Sequence, residues 1–345
     1  MAEHKRRVHY SGKYPKKYEE KYKELQPEKY ADIKEHVIAK GSTPAGTHIS
    51  IMVEEILQFL DIQPGQIGLD CTLGYGGHSE QMLKKLKGEG HLYALDVDPI
   101  ESEKTKNRMR DKGYGEDVFT VKLTNFAQID EVAKETGRFD FVLADLGVSS
   151  MQIDNPKRGF TYKADGPLDL RMDPTKGISA AERLKELTQD ELVGLLTENA
   201  DEPYAQEIAQ TVMSFLKAHQ PIETTLQLKR VIEKSLSFLP KAEQKEAVKK
   251  SCARTFQALR IDVNQEFEVL YQLMDKLPGV LKPGGKVAVL TFHSGEDRLV
   301  KKAFKQYLKS GEYEQVARDV IRPTQEECRR NPRAKSTKMR WAIKS

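Results

Sequence analysis

Three cysteines stand in 345 residues, Cys71, Cys252 and Cys328, far apart and without a CxxC pair. That scarcity argues against a disulfide framework or a cysteine zinc site and suits a reducing cytosol. Long apolar runs are missing as well. None approaches the roughly 18 residues that a membrane span needs, and the opening MAEHKRRVHY has no apolar signal segment. Internal repeats and low-complexity tracts are absent too. The expectation is a cytoplasmic protein with no membrane contact. Its 38% hydrophobic content fills a full core, and its length suits two domains.

The net charge of +4 is small, but it is unevenly spread. Residues 1–40 carry 11 Lys/Arg against 7 Asp/Glu, and residues 301–345 carry 13 against 5. The two ends therefore hold +12 and the rest −8. Basic ends around an acidic body suit contact with a polyanion, and equally suit solvated tails.

Residues 1–45 read as a basic N-terminal extension, closed by the turn-rich GSTPAGTH (41–48). SIMVEEILQFL (50–60) follows with apolar positions at helical spacing. From residue 67, short apolar runs alternate with helical ones: IGLDCTL (67–73), HLYALDVD (91–98), VFTVKL (118–123) and FDFVLADLG (139–147). Such alternation predicts a parallel sheet with helices on both faces. Between about 156 and 255 the strands stop and helical patterns take over. Ser179 precedes AAERLKEL, and Thr188 with Glu191 has capping-box spacing. KVAVLTFHS (286–294) then resumes as a last strand. The fold class is α/β with an inserted all-helical domain, divided as 46–155 and 256–345 around 156–255.

The stretch Asp70-Cys71-Thr72-Leu73-Gly74-Tyr75-Gly76-Gly77-His78 ends a strand and opens a helix. Its glycines let the backbone approach a small ligand closely. Asp96, twenty residues past Gly76, is placed to accept ribose hydroxyls. A dinucleotide turn wants a small third residue in G-x-G-x-x-G/A, but that position here is Ser79. The departure favours S-adenosyl-L-methionine over a nicotinamide cofactor. Asp70 could face that molecule's amino end or simply anchor the turn.

Asp145 closes the fourth strand, where ligands of open α/β sheets bind. An acceptor there would localise the delocalised lone pair of an aromatic amine and help remove its proton. Phe292 and His293 end the last strand and could stack on a base and bond its edge. Glu296, Asp297 and Arg298 could form an ion-pair cluster that holds the same loop. Arg158–Tyr162 and Leu168–Asp173 suit either a splayed nucleotide or a structured hinge. No metal ligand set is expected.

Assembled, these motifs resemble the bacterial small-subunit ribosomal RNA cytosine-N4 methyltransferase family, known as MraW or RsmH. The resemblance covers about residues 48–345, through TLGYGGHS (72–79), DLGVSSMQID (145–154), RGFTY (158–162), DGPLDLRMDP (165–174), RTFQALRIDVNQE (254–266), FHSGEDRLVK (292–301) and NPRAKSTKMR (331–340). It implies a class I methyltransferase fold with a helical insert and methylation of a decoding-centre cytidine in 16S RNA. Carried over motif by motif, it implies that S-adenosyl-L-methionine contacts Gly76, Gly77, His78, Asp96, Phe126, Asp145 and Gln152. The implied partners are 16S rRNA and the 30S subunit, and a homodimer is left open. Gly295 and Leu170 stand where the family usually has Leu and Met, Tyr75 replaces a small residue or Arg, and residues 1–45 lack a counterpart in most members. Those departures point to a divergent subgroup or second paralogue. The other readings left standing are cytosine-N4 methylation of another RNA or of DNA, and a non-catalytic assembly factor that binds the same cofactor.

Overall fold

A computed structural model describes residues 50–345. The N-terminal extension lies outside the described residues.

Helix α1 (Val53–Leu60) buries Ile56 and Leu60 on one stripe. The strands and helices then alternate as the apolar runs predict: β1 (Ile67–Asp70), α2 (Gly77–Leu86), β2 (His91–Asp96), α3 (Pro99–Asp111), β3 (Phe119–Leu123), α4 (Ile129–Thr136) and β4 (Phe139–Asp145). A short helix α5 (Ser150–Asp154) leads into α6 (Ala180–Glu186), α7 (Gln189–Ala200), α8 (Ala205–Lys217), α9 (Thr225–Ser235) and the 24-residue α10 (Lys241–Asn264). Helix α11 (Glu266–Val280), strand β5 (Leu281–Thr291) and helix α12 (Ser294–Ser310) return the chain to the sheet. Strand β6 (Tyr313–Val316), helix α13 (Gln325–Arg330) and strand β7 (Lys338–Lys344) complete it.

The seven strands run in the order β3-β2-β1-β4-β5-β7-β6. The first five are parallel, and β7 is antiparallel to both of its neighbours. This is the class I methyltransferase arrangement. Because side chains alternate across a strand, β4 sends Phe141 and Leu143 to one face and Val142 and Ala144 to the other. Both faces are covered, so the strand reads as one apolar run. Ile56, Met82, Leu92 and Phe141 share the first core, while Val142, Leu273, Val289 and Phe304 share the second.

A third core belongs to the helical segment and gathers Leu184, Leu196, Ile208, Val212, Leu228 and Ile232. Thr188 caps α7 with a reciprocal bond pair to Glu191, and Ser179 caps α6 with Glu182 in the same way. Helix α10 contributes Cys252, Phe256 and Leu259 to this core and runs across the 255/256 division. Sequence reasoning ended the sheet at 286–294; the structure adds β6 and β7 beyond it, and β5 itself begins earlier, at Leu281.

Candidate active site at the reversal of strand order

The strand order reverses between β1 and β4, and the loops beyond their carboxyl ends form the crevice where ligands of such sheets bind. On the β1 side, Asp70 is 0% exposed. It accepts the Thr72 N–H at 3.0 Å and the Ser79 hydroxyl at 2.6 Å. Burial pushes its carboxyl above the ordinary range. Of its two sequence readings, the structure favours the anchor of the turn. Gly76 takes φ +70°, and a Cβ there would sit 2.9 Å from Thr105 Cγ2. Its neighbour Gly77 opens α2. Tyr75, unusual for the resemblance, donates its hydroxyl to Glu101 at 3.0 Å while Arg108 lies 5.1 Å over its ring.

Asp96 ends β2 with both oxygens turned to backbone amides. Gly74 N–H donates to one and Asp98 N–H to the other, each at 2.9 Å. Burial raises its carboxyl to about 6 against the pull of those two donors. Phe126 opens a short turn after β3 and is half-buried against the second core.

Asp145 ends β4. Its amide donates to Thr72 Oγ at 2.7 Å, which ties it to the glycine turn. Its Oδ2 lies 3.4 Å from His78 Nδ1, and its Oδ1 is buried without a hydrogen-bond partner. His78, in the first turn of α2, places Nε2 2.9 Å from the Ile51 carbonyl. Burial opposes its charge, yet the Asp145 hydrogen bond and charge, the Ile51 carbonyl and the Asp70 charge together lift it to about 8.

Gln152 lies at the same end of the sheet, but its amide is already committed. It accepts the Ser149 N–H at 2.9 Å and donates to Asp98 at 3.0 Å. Asp98 is the residue that sequence reasoning missed. It is 0% exposed, caps α3 through Ile100 and Glu101, and pairs with Arg158 at 2.6 Å. Arg158 also donates to the Arg171 and Met172 carbonyls, and Asn264 bonds Leu170 and Met172. These bonds tie the 158–173 segment to Asp98 at the start of α3 and to Asn264 on α10. The one sequence signal for Asp98 was its place ahead of Pro99, a helix-start pattern.

On the β5 side, Leu290 pairs with Asp145, and His293 follows three residues later as the N-cap of α12. Both His293 ring nitrogens are buried, and Nε2 lies 3.2 Å from Glu296 Oε1, an ion-pair contact. Burial alone would raise the Glu296 carboxyl, but His293, the Phe292 amide and Arg260 hold it below the usual range. Phe267 meets the His293 ring edge-on at 5.8 Å. The missing side chain of Gly295 makes room for it, since a Cβ there would lie 2.6 Å from the Phe267 ring. Asp297 holds Arg340 at 2.7 Å and Lys338 at 3.1 Å, which fixes the loop to β7. Arg298 reaches only the exposed Asp201, at 3.7 Å.

Glu266, His293 and Glu296 each bring a ligand atom within 4.8 Å of the others, a spacing that metal sites share. Arg260 grips both Glu266 oxygens at 2.7 and 2.9 Å. Its fixed positive charge offsets that of Glu266, whose two oxygens are both engaged by the guanidinium.

Gly76, Gly77, His78, Asp96, Phe126 and Asp145 thus meet at the carboxyl ends of β1, β2, β3 and β4, with His293 at the end of β5. A close-approach turn, a half-buried aromatic and an orphaned carboxylate oxygen fit a small cationic nucleoside such as S-adenosyl-L-methionine.

The MraW methylase family matches this chain over residues 45–345. A ribosomal RNA small subunit methyltransferase H 1 from Agathobacter rectalis is 64% identical over 343 residues, covering 99% of this chain and 98% of its own. A methyltransferase H 2 from Acholeplasma laidlawii is 55% identical over 346 residues and 100% of both chains. An unnumbered methyltransferase H from Clostridioides difficile is 36% identical and covers 86% of this chain and 98% of its own. The two numbered relatives cover 99% and 100% of this chain and so take in the N-terminal extension.

Proposed function

We propose that this chain, which belongs to the MraW methylase family, transfers a methyl group from S-adenosyl-L-methionine to the exocyclic N4 amine of a cytidine in 16S ribosomal RNA, with the assembled 30S particle as its substrate. The observation that carries the chemistry is Asp145, whose Oδ1 is buried, unpartnered and set at the reversal of strand order. Gly76, Gly77, Asp96 and Phe126 would hold the donor, which supplies an electrophilic methyl group.

An aromatic amine is a poor nucleophile because its lone pair is shared with the ring. Asp145 Oδ1 accepts one of its N–H bonds, localises the lone pair and takes the proton as the new bond forms. His293, at the end of the adjacent strand beside Glu296, is a second group that can bond the base edge. Carbon-5 methylation would need a thiolate to attack the ring. Burial and the Asp70 charge push the Cys71 thiol well up, and burial raises Cys252 to about 12 inside the helical core. Neither suits that role.

In this reading 46–155 and 256–345 form the catalytic domain, and 156–255 recognises the RNA. The insert's separate core supports that division. Methyl transfer to naked 16S RNA, 30S particles lacking the modification and DNA, measured side by side, tests the substrate. The reading expects 30S particles to be methylated fastest. Faster transfer to DNA would overturn it, and no transfer to any of the three would favour a non-catalytic assembly factor.

A further inference from the structure

The His78 imidazole is 8% exposed, and each of its nitrogens faces an acceptor. Nε2 points at the Ile51 carbonyl at 2.9 Å, and Nδ1 lies 3.4 Å from Asp145 Oδ2. A neutral imidazole carries one N–H and can serve only one of these; the imidazolium presents an N–H to each. The charged groups around the ring are all acidic: Asp145 on β4, Asp70 at the end of β1, and Glu327 on α13, which accepts the Met52 amide. Burial disfavours the cation, but these neighbours keep it charged up to about pH 8.

We propose that His78 is a positioning residue, protonated while the pocket holds no donor, that pins Asp145 Oδ2 so that Oδ1 faces the pocket, and that binding of cationic S-adenosyl-L-methionine expels the Nδ1 proton to solvent. The inference rests on the reading that the donor binds beside Asp145. The sulfonium and the imidazolium are like charges competing for one carboxylate. Of the two, only the imidazolium can shed its charge, by losing a proton. The Nε2–H stays on the Ile51 carbonyl, so the ring keeps its place. Loss of the other proton leaves Nδ1 as an empty acceptor next to Asp145. When Asp145 Oδ1 takes a proton from the substrate amine, a half-turn of the carboxyl exchanges its two oxygens, and the proton passes to Nδ1 at the position that Oδ2 holds 3.4 Å away. The balance closes: one proton leaves His78 on loading, and one returns through Asp145 during turnover.

Titration calorimetry with S-adenosyl-L-methionine in phosphate and in Tris, whose ionisation heats differ, counts the protons released. The expected count is about one per donor at pH 7, falling towards zero above about pH 9, with Kd tightening about tenfold per pH unit below 8. S-adenosyl-L-homocysteine, which lacks the sulfonium charge, should release fewer. His78→Gln, checked for an intact melting transition, should bind the donor without proton release, and His78→Asn serves if the first variant does not fold. If neither folds, the wild-type buffer series decides alone. Zero release at pH 7 in wild type overturns the proposal, as does undiminished release in a folded variant. No binding at all would overturn the pocket assignment beneath it.

Discussion

Asp145 is held by two neighbours of different kinds, the Thr72 hydroxyl on its amide and the His78 ring on its carboxylate. Asp145→Asn keeps that shape but cannot take a proton, so turnover should fall at least tenfold while RNA affinity changes little. Single-turnover rates beside filter-binding affinities check this, and turnover within about twofold of wild type would remove the proton-accepting role. Asp96→Ala should weaken donor binding about 10- to 100-fold, since two ribose hydroxyls lose a charged acceptor. Calorimetry on the folded variant decides, and unchanged affinity would remove Asp96 from the site. His78 also leaves a mark on stability. Its folded value near 8 lies above the unfolded 6.5, so its contribution is complete below about pH 6.5 and is lost as pH rises through about 8. The loss amounts to about 2 kcal/mol and should disappear in His78→Gln when unfolding is followed by denaturant from pH 6 to 9. Asp145 and the glycine turn were legible because a strand end and a G-x-G-G run announce themselves locally. The roles of Asp98 and Arg158 were not. Their ion pair spans 60 residues, and no local pattern pairs them.

Among the elements, capping signals were the most readable. Thr188 and Glu191 form the reciprocal bonds that their spacing implied. Thr188→Ala should cost about 1 kcal/mol, read as a lowered unfolding midpoint with donor affinity unchanged. The 158–173 segment is a sterner case. Arg158 and Asp98 are 12% and 0% exposed at the side chain, so Arg158→Met leaves a buried carboxylate uncompensated and should cost about 3–5 kcal/mol. A melting shift of less than a degree would show that water replaces the guanidinium. The four parallel strands before the insert were legible because strands covered on both faces become unbroken apolar runs. Strands β6 and β7 were hidden for the opposite reason. YEQV and KMRWAIK mix charged with apolar residues, and β6 lies at the sheet edge, where one flank needs no apolar partner. His293 was legible as a strand-end residue, but not the Phe267 ring beside it, which the bare Gly295 admits from another helix.

At the scale of the molecule, the insert and the charge asymmetry bear on how RNA is held. The helical segment carries its own core, so it can present a surface without disturbing the sheet and its strand-end loops. The ends bring +12 against −8 for the body. Removing residues 1–40 should therefore weaken RNA binding and flatten its salt dependence while donor affinity stays put. An unchanged salt slope would assign the extension to folding or self-association instead. The atom that receives the methyl group can be identified directly. Particles lacking the modification are incubated with labelled donor and the wild-type protein, then digested to nucleosides and resolved by mass spectrometry. N4-methylcytidine is the expected labelled product; label on carbon 5 of cytosine or on a ribose oxygen would rule out transfer to the amine.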